Sequence, residues 1–205
     1  YYSSVNMNYL AHLVLAYPHP NLMVGNYLAD FIQKRDEKNI LPVYHPGISF
    51  HRWIDNYTDH HATVDELNVI FRPAVHKYAP VATDIIMDYF LHLNWNLFMG
   101  IDYDEFAEKT YALLRLKSID FPEPAQTITH RMIQGLWLNQ YKSMEGLADV
   151  MNRMNRKAKF DVQFENTLEI VHLQHDSLNA LFLKFFQDIW REAALWLNLR
   201  SEMKS

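Results

Sequence analysis

The segment Pro80-Val81-Ala82-Thr83-Asp84-Ile85-Ile86-Met87-Asp88-Tyr89-Phe90-Leu91-His92-Leu93-Asn94-Trp95-Asn96-Leu97-Phe98-Met99-Gly100 decides the fold. Proline suits a first helical turn, where its missing N–H is no loss, and glycine suits the position just past a helix end. Between them, Ile86, Phe90, Leu93 and Leu97 recur at three- and four-residue steps, which predicts one apolar helical face. Asp84, Asp88 and His92 share another face at i, i+4 and i+8.

Working outward, the same grammar repeats. Residues 7–17 read as a short, mostly buried helix stopped by Pro18 and Pro20, and residues 22–34 as a second. The stretch from Arg35 to Gly47 reads as a loop and residues 48–60 as a helix. Thr63 with Glu66 fits a capping box that opens a further helix, with Val64, Leu67, Ile70 and Phe71 inward and a kink or break at Pro73. Asp102 with Glu105 fits another, for residues 103–117. Residues 125–141, 144–156 and 161–199 complete the set, the last with a break expected near Asp176. Glycine is scarce, at 5 of 205 residues, so a many-stranded β fold lacks its turn residues. The expectation is a single all-α domain over residues 7–205, a bundle of about eight or nine helices. Residues 1–6 read as an upstream extension before Met7.

Composition narrows the function. The formal charge of -5 gives no basic field for non-specific binding of nucleic acid or an anionic membrane. The absence of cysteine excludes disulfides, thiolate catalysis and cysteine-ligated metal. No apolar run reaches the roughly 18–20 residues that span a bilayer, and no secretory pattern opens the chain, so a soluble cytoplasmic protein is expected. Eleven histidines make imidazole chemistry the first to consider.

Four constellations carry chemical potential. His51, Asp55 and Asp59 form a helical column of one imidazole and two carboxylates, which is either a wall for a divalent cation or a solvated face with His–Asp pairing. Asp84, Asp88 and His92 form a second column, in which Asp88 is the better site candidate because Asp84 also suits the first helical turn. His12 and Asp30 each stand alone in apolar runs, and burial of such groups demands a partner, either each other or a shared metal. Arg153, Arg156, Lys157 and Lys159 concentrate positive charge near a helix end. They can complement the helix dipole or receive a phosphate or an acidic partner.

The order of these motifs resembles the acyl carrier protein phosphodiesterase family. The resemblance rests on Met7-Asn8-Tyr9-Leu10-Ala11-His12-Leu13, Gly25-Asn26-Tyr27-Leu28-Ala29-Asp30-Phe31, and Gly47-Ile48 with His51-Arg52-Trp53-Ile54-Asp55 and Thr58-Asp59. Asp84, Asp88-Tyr89-Phe90 and Trp95 follow in the same order. It implies an all-helical fold related to the HD phosphohydrolases. It also implies hydrolysis, dependent on Mn²⁺ or Mg²⁺ (with Fe²⁺ as a further candidate), of the phosphodiester joining 4′-phosphopantetheine to a serine of acyl carrier protein. The matching positions are Asn8, His12, Asn26, Asp30, His51, Arg52, Asp55, Asp59 and Asp88. Of these, His12, Asp30, His51, Asp55 and Asp88 are the expected metal ligands, and Asn26, Arg52 and Asp59 the expected catalytic residues. The basic run is the expected seat of the acidic carrier. Val14, Tyr89 and Asn94 stand where the family usually has histidine. Two competing readings follow: a helical binding protein that has lost its metal, or a phosphohydrolase for a small nucleotide-like substrate.

Overall fold

A computed structural model describes residues 9–159 and 162–202, with the backbone alone for 200–202. In chain order the α-helices are α1 (Tyr9–Ala16), α2 (Pro20–Leu28), α3 (His45–Asp59), α4 (Ala62–Val75), α5 (Ala79–Leu93), α6 (Trp95–Phe98), α7 (Tyr103–Lys117), α8 (Ala125–Gln134), α9 (Met144–Lys157), α10 (Asn166–Leu173) and α11 (His175–Glu202). Short 3-10 turns join several of them, and no strand occurs among the described residues. The all-α expectation holds, with more helices than the eight or nine read from the sequence. Long segments divide at Asn94 and, close to the break expected near Asp176, at Gln174.

Helix α5 lies at the centre and packs against α1, α4, α9 and α11. Its Ile85, Ile86, Phe90 and Leu91 are almost fully buried. Leu93 and Leu97, expected on the same buried face, are exposed. Leu93 is the last residue of α5, and Leu97 lies beyond the break at Asn94, whose side-chain amide donates to the Phe90 carbonyl at 2.9 Å. The long α11 closes the bundle over α3, α4 and α5 with Phe182, Phe185, Phe186 and Ile189.

Two helix starts show where local reading works. Asp102 caps α7, accepting from the backbone N–H groups of Asp104 at 2.8 Å and Glu105 at 3.3 Å, as its spacing predicts. Helix α4, by contrast, is capped by His61, whose Nδ1 accepts from the Thr63 N–H at 3.3 Å. Thr63 is itself buried and its hydroxyl has no partner, so the expected Thr63–Glu66 box does not form. Pro73 sits inside α4 without dividing it. Asp30 also departs from the reading, because α2 ends at Leu28 and Asp30 lies on the 3-10 turn Ala29–Phe31. The expected loop from Arg35 to Gly47 contains two further 3-10 turns, Lys34–Asn39 and Pro42–Tyr44.

Candidate metal centre

The site grows from a close crossing of α2 and α3. A Cβ at Gly25 would overlap the Tyr44 carbonyl, and one at Gly47 would stand 2.7 Å from the Asn26 backbone nitrogen. Only glycine at both positions lets the two backbones approach this closely. The crossing sets Asn26 of α2 beside His51 of α3, and α1 brings His12 to the same place. All three are buried, with Asn26 fully so.

The two imidazoles stack with ring centroids 4.2 Å apart and planes 24° from parallel. Their Nδ1 atoms both meet the Oδ1 of Asn26, at 2.8 Å from His12 and 3.1 Å from His51. Their Nε2 atoms point the other way, toward carboxylates. His12 Nε2 lies 3.3 Å from one Asp55 oxygen, and His51 Nε2 lies 3.1 Å from the other. Asp30 also approaches His51 Nε2, at 3.5 Å. Candidate ligand atoms of His12, His51 and Asp55 all fall within 4.8 Å of one another. The Asp55 side chain is 34% exposed, which makes it the open side of an otherwise enclosed group.

The electrostatics are those of a strained anionic pocket. Burial pushes the Asp30 carboxyl up to about 6, with the histidines opposing the rise. Burial disfavours the charged form of Asp55, yet contact with His12 and His51 and the charge they bring outweigh it and hold the carboxyl well below the usual range. Burial disfavours a charged His12, but Asp55, Asp30 and Asn26 outweigh it and raise its pKa. His12 Nε2 and Asp30 Oδ1 are buried without a hydrogen-bond partner. Such orphaned atoms are costly, and two imidazolium rings stacked at 4.2 Å would repel each other. A single cation among the Nε2 atoms and carboxylates relieves both penalties, so these residues fit a divalent metal.

The other expected site residues have different surroundings. Asp88 is fully buried and accepts from the backbone N–H groups of Leu10 at 3.1 Å and Ala11 at 3.0 Å. Its carboxylate thus fixes the first turn of α1, with a further hydrogen bond from Tyr141, and lies outside the His12–His51–Asp55 group. Burial pushes it up to about 7, although the two amides oppose the rise. Asp84, one turn earlier, lines a cavity of about 20 Å³ with Ala11, Thr58, Asp88 and the aromatic rings of α11. That is room for about one water molecule. Asp59 is exposed at the end of α3, and burial together with the charge of Asp55 raises its pKa. Arg52 points away along the exposed flank of α3 and pairs with Glu37 at 2.6 Å. Asn26 is sealed behind both imidazoles, where it positions them rather than touching anything that enters. Asn8 lies outside the described residues.

The three positions where the resemblance leads one to expect histidine have local structural roles. Val14 is buried in the core, Tyr89 packs against Phe90 and His175, and Asn94 ends α5 and donates to Asn179 at 2.6 Å. His92 packs edge-on against Tyr103, away from the group. The His12–His51–Asp55 group is therefore assembled without histidine at any of these positions.

The basic run divides. Arg153 is half-buried, lies 5.6 Å from the Trp137 ring and donates to Gln140. Arg156, Lys157 and Lys159 are exposed at the end of α9. The Lys159 backbone N–H donates to the Tyr78 hydroxyl at 3.0 Å, which joins this end to the Arg72, His76 and Lys77 surface. Sequence reasoning missed that second basic group, because only the fold brings it beside the first. No helix among the described residues is long and apolar enough to cross a membrane.

Comparison with known proteins places the chain in a family. The family model described as acyl carrier protein phosphodiesterase matches residues 7–189. A protein of that name from Salmonella paratyphi A is 30% identical over 191 residues, covering 92% of this chain and 98% of the relative. Relatives of the same name from Klebsiella pneumoniae strain 342 and Escherichia coli O6:H1 are also 30% identical, over 191 and 192 residues. No solved structure matches the chain. The match spans nearly the whole chain and includes every residue of the metal-fitting group, and the chain is an enzyme that belongs to the acyl carrier protein phosphodiesterase family.

Proposed function

We propose that this protein hydrolyses the phosphodiester between 4′-phosphopantetheine and the serine of holo-acyl carrier protein, giving the apo-protein and free 4′-phosphopantetheine. The observation that carries this reading is the convergence of the His12 and His51 Nε2 atoms on Asp55 in one pocket, in a chain of this family. His12, His51 and Asp55 hold a divalent cation, and Asp30 adds a second carboxylate beside His51. Two imidazole nitrogens among the ligands favour Mn²⁺ or Fe²⁺ over Mg²⁺, which prefers oxygen. When bound, the cation supplies charge neutralisation at the phosphoryl oxygens and a lowered pKa for the attacking water.

The chain's own residues do the rest. Asp55, at the open side, marks where the phosphate arrives. Asp88 holds α1, and therefore His12, in register by capping its first amides. Arg52 meets the phosphate only after leaving Glu37, so it acts at the rim. Arg156, Lys157 and Lys159, continued by Arg72 and Lys77, form the cationic face on which an acidic carrier protein docks.

Incubating purified protein with holo-carrier protein and Mn²⁺, then weighing the carrier by mass spectrometry, tests the proposal. Loss of the phosphopantetheine mass with Mn²⁺ and its retention with chelator is the expected result. Unchanged carrier beside turnover of a small nucleotide-like phosphodiester would favour the small-substrate reading. No turnover of either, with no Mn²⁺ bound, would favour the binding protein.

A further inference from the structure

We infer that Asn26 fixes a proton on Nδ1 of both histidines at once, and so leaves Nε2 as the atom each ring offers to a metal. The inference rests on the metal reading above, but its own basis is the hydrogen bonding around one amide. Asn26 Nδ2 donates to the backbone carbonyl of His12 at 2.8 Å. That carbonyl is only an acceptor, so it fixes which end of the amide is nitrogen. Reversing the amide would set oxygen against oxygen at 2.8 Å.

With the amide fixed, Oδ1 is the atom facing both imidazoles, at 2.8 and 3.1 Å. A carbonyl oxygen cannot donate, so each Nδ1 must carry a proton. A neutral imidazole protonated on Nδ1 has its lone pair on Nε2. Both Nε2 atoms face Asp55, and His51 also faces Asp30. One oxygen with two lone pairs therefore orients two ligands, and losing it disturbs both together.

The placement follows from the chain. Gly25 and Gly47 bring the backbones of α2 and α3 into contact, and Asn26 follows Gly25 directly. The residue is a positioning residue, because it is fully buried behind the rings and reaches neither the open side nor the carboxylates. Groups that hydrogen-bond the far nitrogen of a metal-binding imidazole typically change metal affinity by about 10- to 100-fold when removed.

Long-range ¹H–¹⁵N correlation spectra of the metal-free protein, recorded above the imidazole titration range, read the tautomers directly. The expected spectrum shows both His12 and His51 protonated on Nδ1. Asn26→Leu should move at least one ring toward the Nε2-protonated form and weaken Mn²⁺ binding, measured by calorimetry, by about 10- to 100-fold. A wild-type ring protonated on Nε2 overturns the inference, as does an Asn26→Leu protein that binds Mn²⁺ as tightly as wild type. The wild-type spectrum needs no variant, so it decides the matter even if Asn26→Leu fails to fold. Wild-type protein with both protons on Nδ1 but no Mn²⁺ uptake sinks the metal reading and leaves the tautomer assignment standing.

Discussion

Helices α3 and α5 carry the same device in sequence, three polar groups at i, i+4 and i+8, and the fold uses them in opposite ways. On α3, His51 and Asp55 face a second imidazole and join it in one group, while Asp59 is left at the exposed end. On α5, Asp88 faces the free amides at the start of α1 and caps them, His92 packs on Tyr103, and Asp84 lines a cavity. Spacing makes a column, but the element across from it decides its role. Paired imidazoles and a carboxylate fit a cation at α3, whereas N–H groups find their acceptor in a carboxyl at α5.

The sharpest way to break this contrast is a pair of single substitutions. Asp55→Asn should remove Mn²⁺-dependent phosphodiesterase activity by about three powers of ten or more and abolish the rise in Tm on adding Mn²⁺. Its partly exposed position should leave the fold intact, as a circular dichroism spectrum would check. Asp88→Ala should act on stability instead. It strips the acceptor from the buried Leu10 amide and the part-buried Ala11 amide, at a cost of about 2–4 kcal/mol in denaturant unfolding. Equal loss of stability in both variants would erase the distinction.

Titration sharpens the same comparison. In chelated protein, burial holds Asp88 at about 7, above the ordinary 3.8, so the folded state keeps a proton that the unfolded chain has already released. That contribution is full below about pH 4 and is lost as pH rises through 7. Chelated wild type should therefore lose about 2–4 kcal/mol of stability over that window, while Asp88→Asn, which cannot titrate, should show a flatter profile. A wild-type profile that rises with pH across the window would contradict the assignment.

These roles mark how far a sequence can be read. The cap at Asp102 was legible because it depends on residues two and three positions away. The convergence of His12, Asp30, His51 and Asp55 was legible because polar groups inside apolar runs must find partners. The site role of Asn26 came from family resemblance alone, whereas Asp59 was also placed in the α3 column by its spacing. The Glu37 partner of Arg52 and the amides opposite Asp88 were not legible, since each depends on where a distant backbone segment lies. The break at Asn94 escaped for a subtler reason. Apolar periodicity continues through Leu97, while the helix ends at Leu93 and the Asn94 side chain bonds back to Phe90.

The smallest expected effect concerns the basic face, which neither column touches. Reversing Arg156 and Lys157 to glutamate changes charge at the exposed end of α9, where Lys159 meets Tyr78. The metal group lies in α1, the 3-10 turn and α3, so Mn²⁺ binding should be unchanged. An acidic carrier would meet two repulsive groups in place of two attractive ones, mainly during encounter. KM for holo-carrier protein should rise by about 3- to 10-fold at low salt with kcat nearly constant, and the gap should close as salt screens the encounter. Turnover of a small phosphodiester, which needs no docking face, should not change. Arg153 provides the internal contrast: its guanidinium is engaged with Trp137 and Gln140, so Arg153→Glu should cost stability rather than alter the salt dependence. If the doubly reversed protein keeps the wild-type KM at low salt, the carrier docks on a different face.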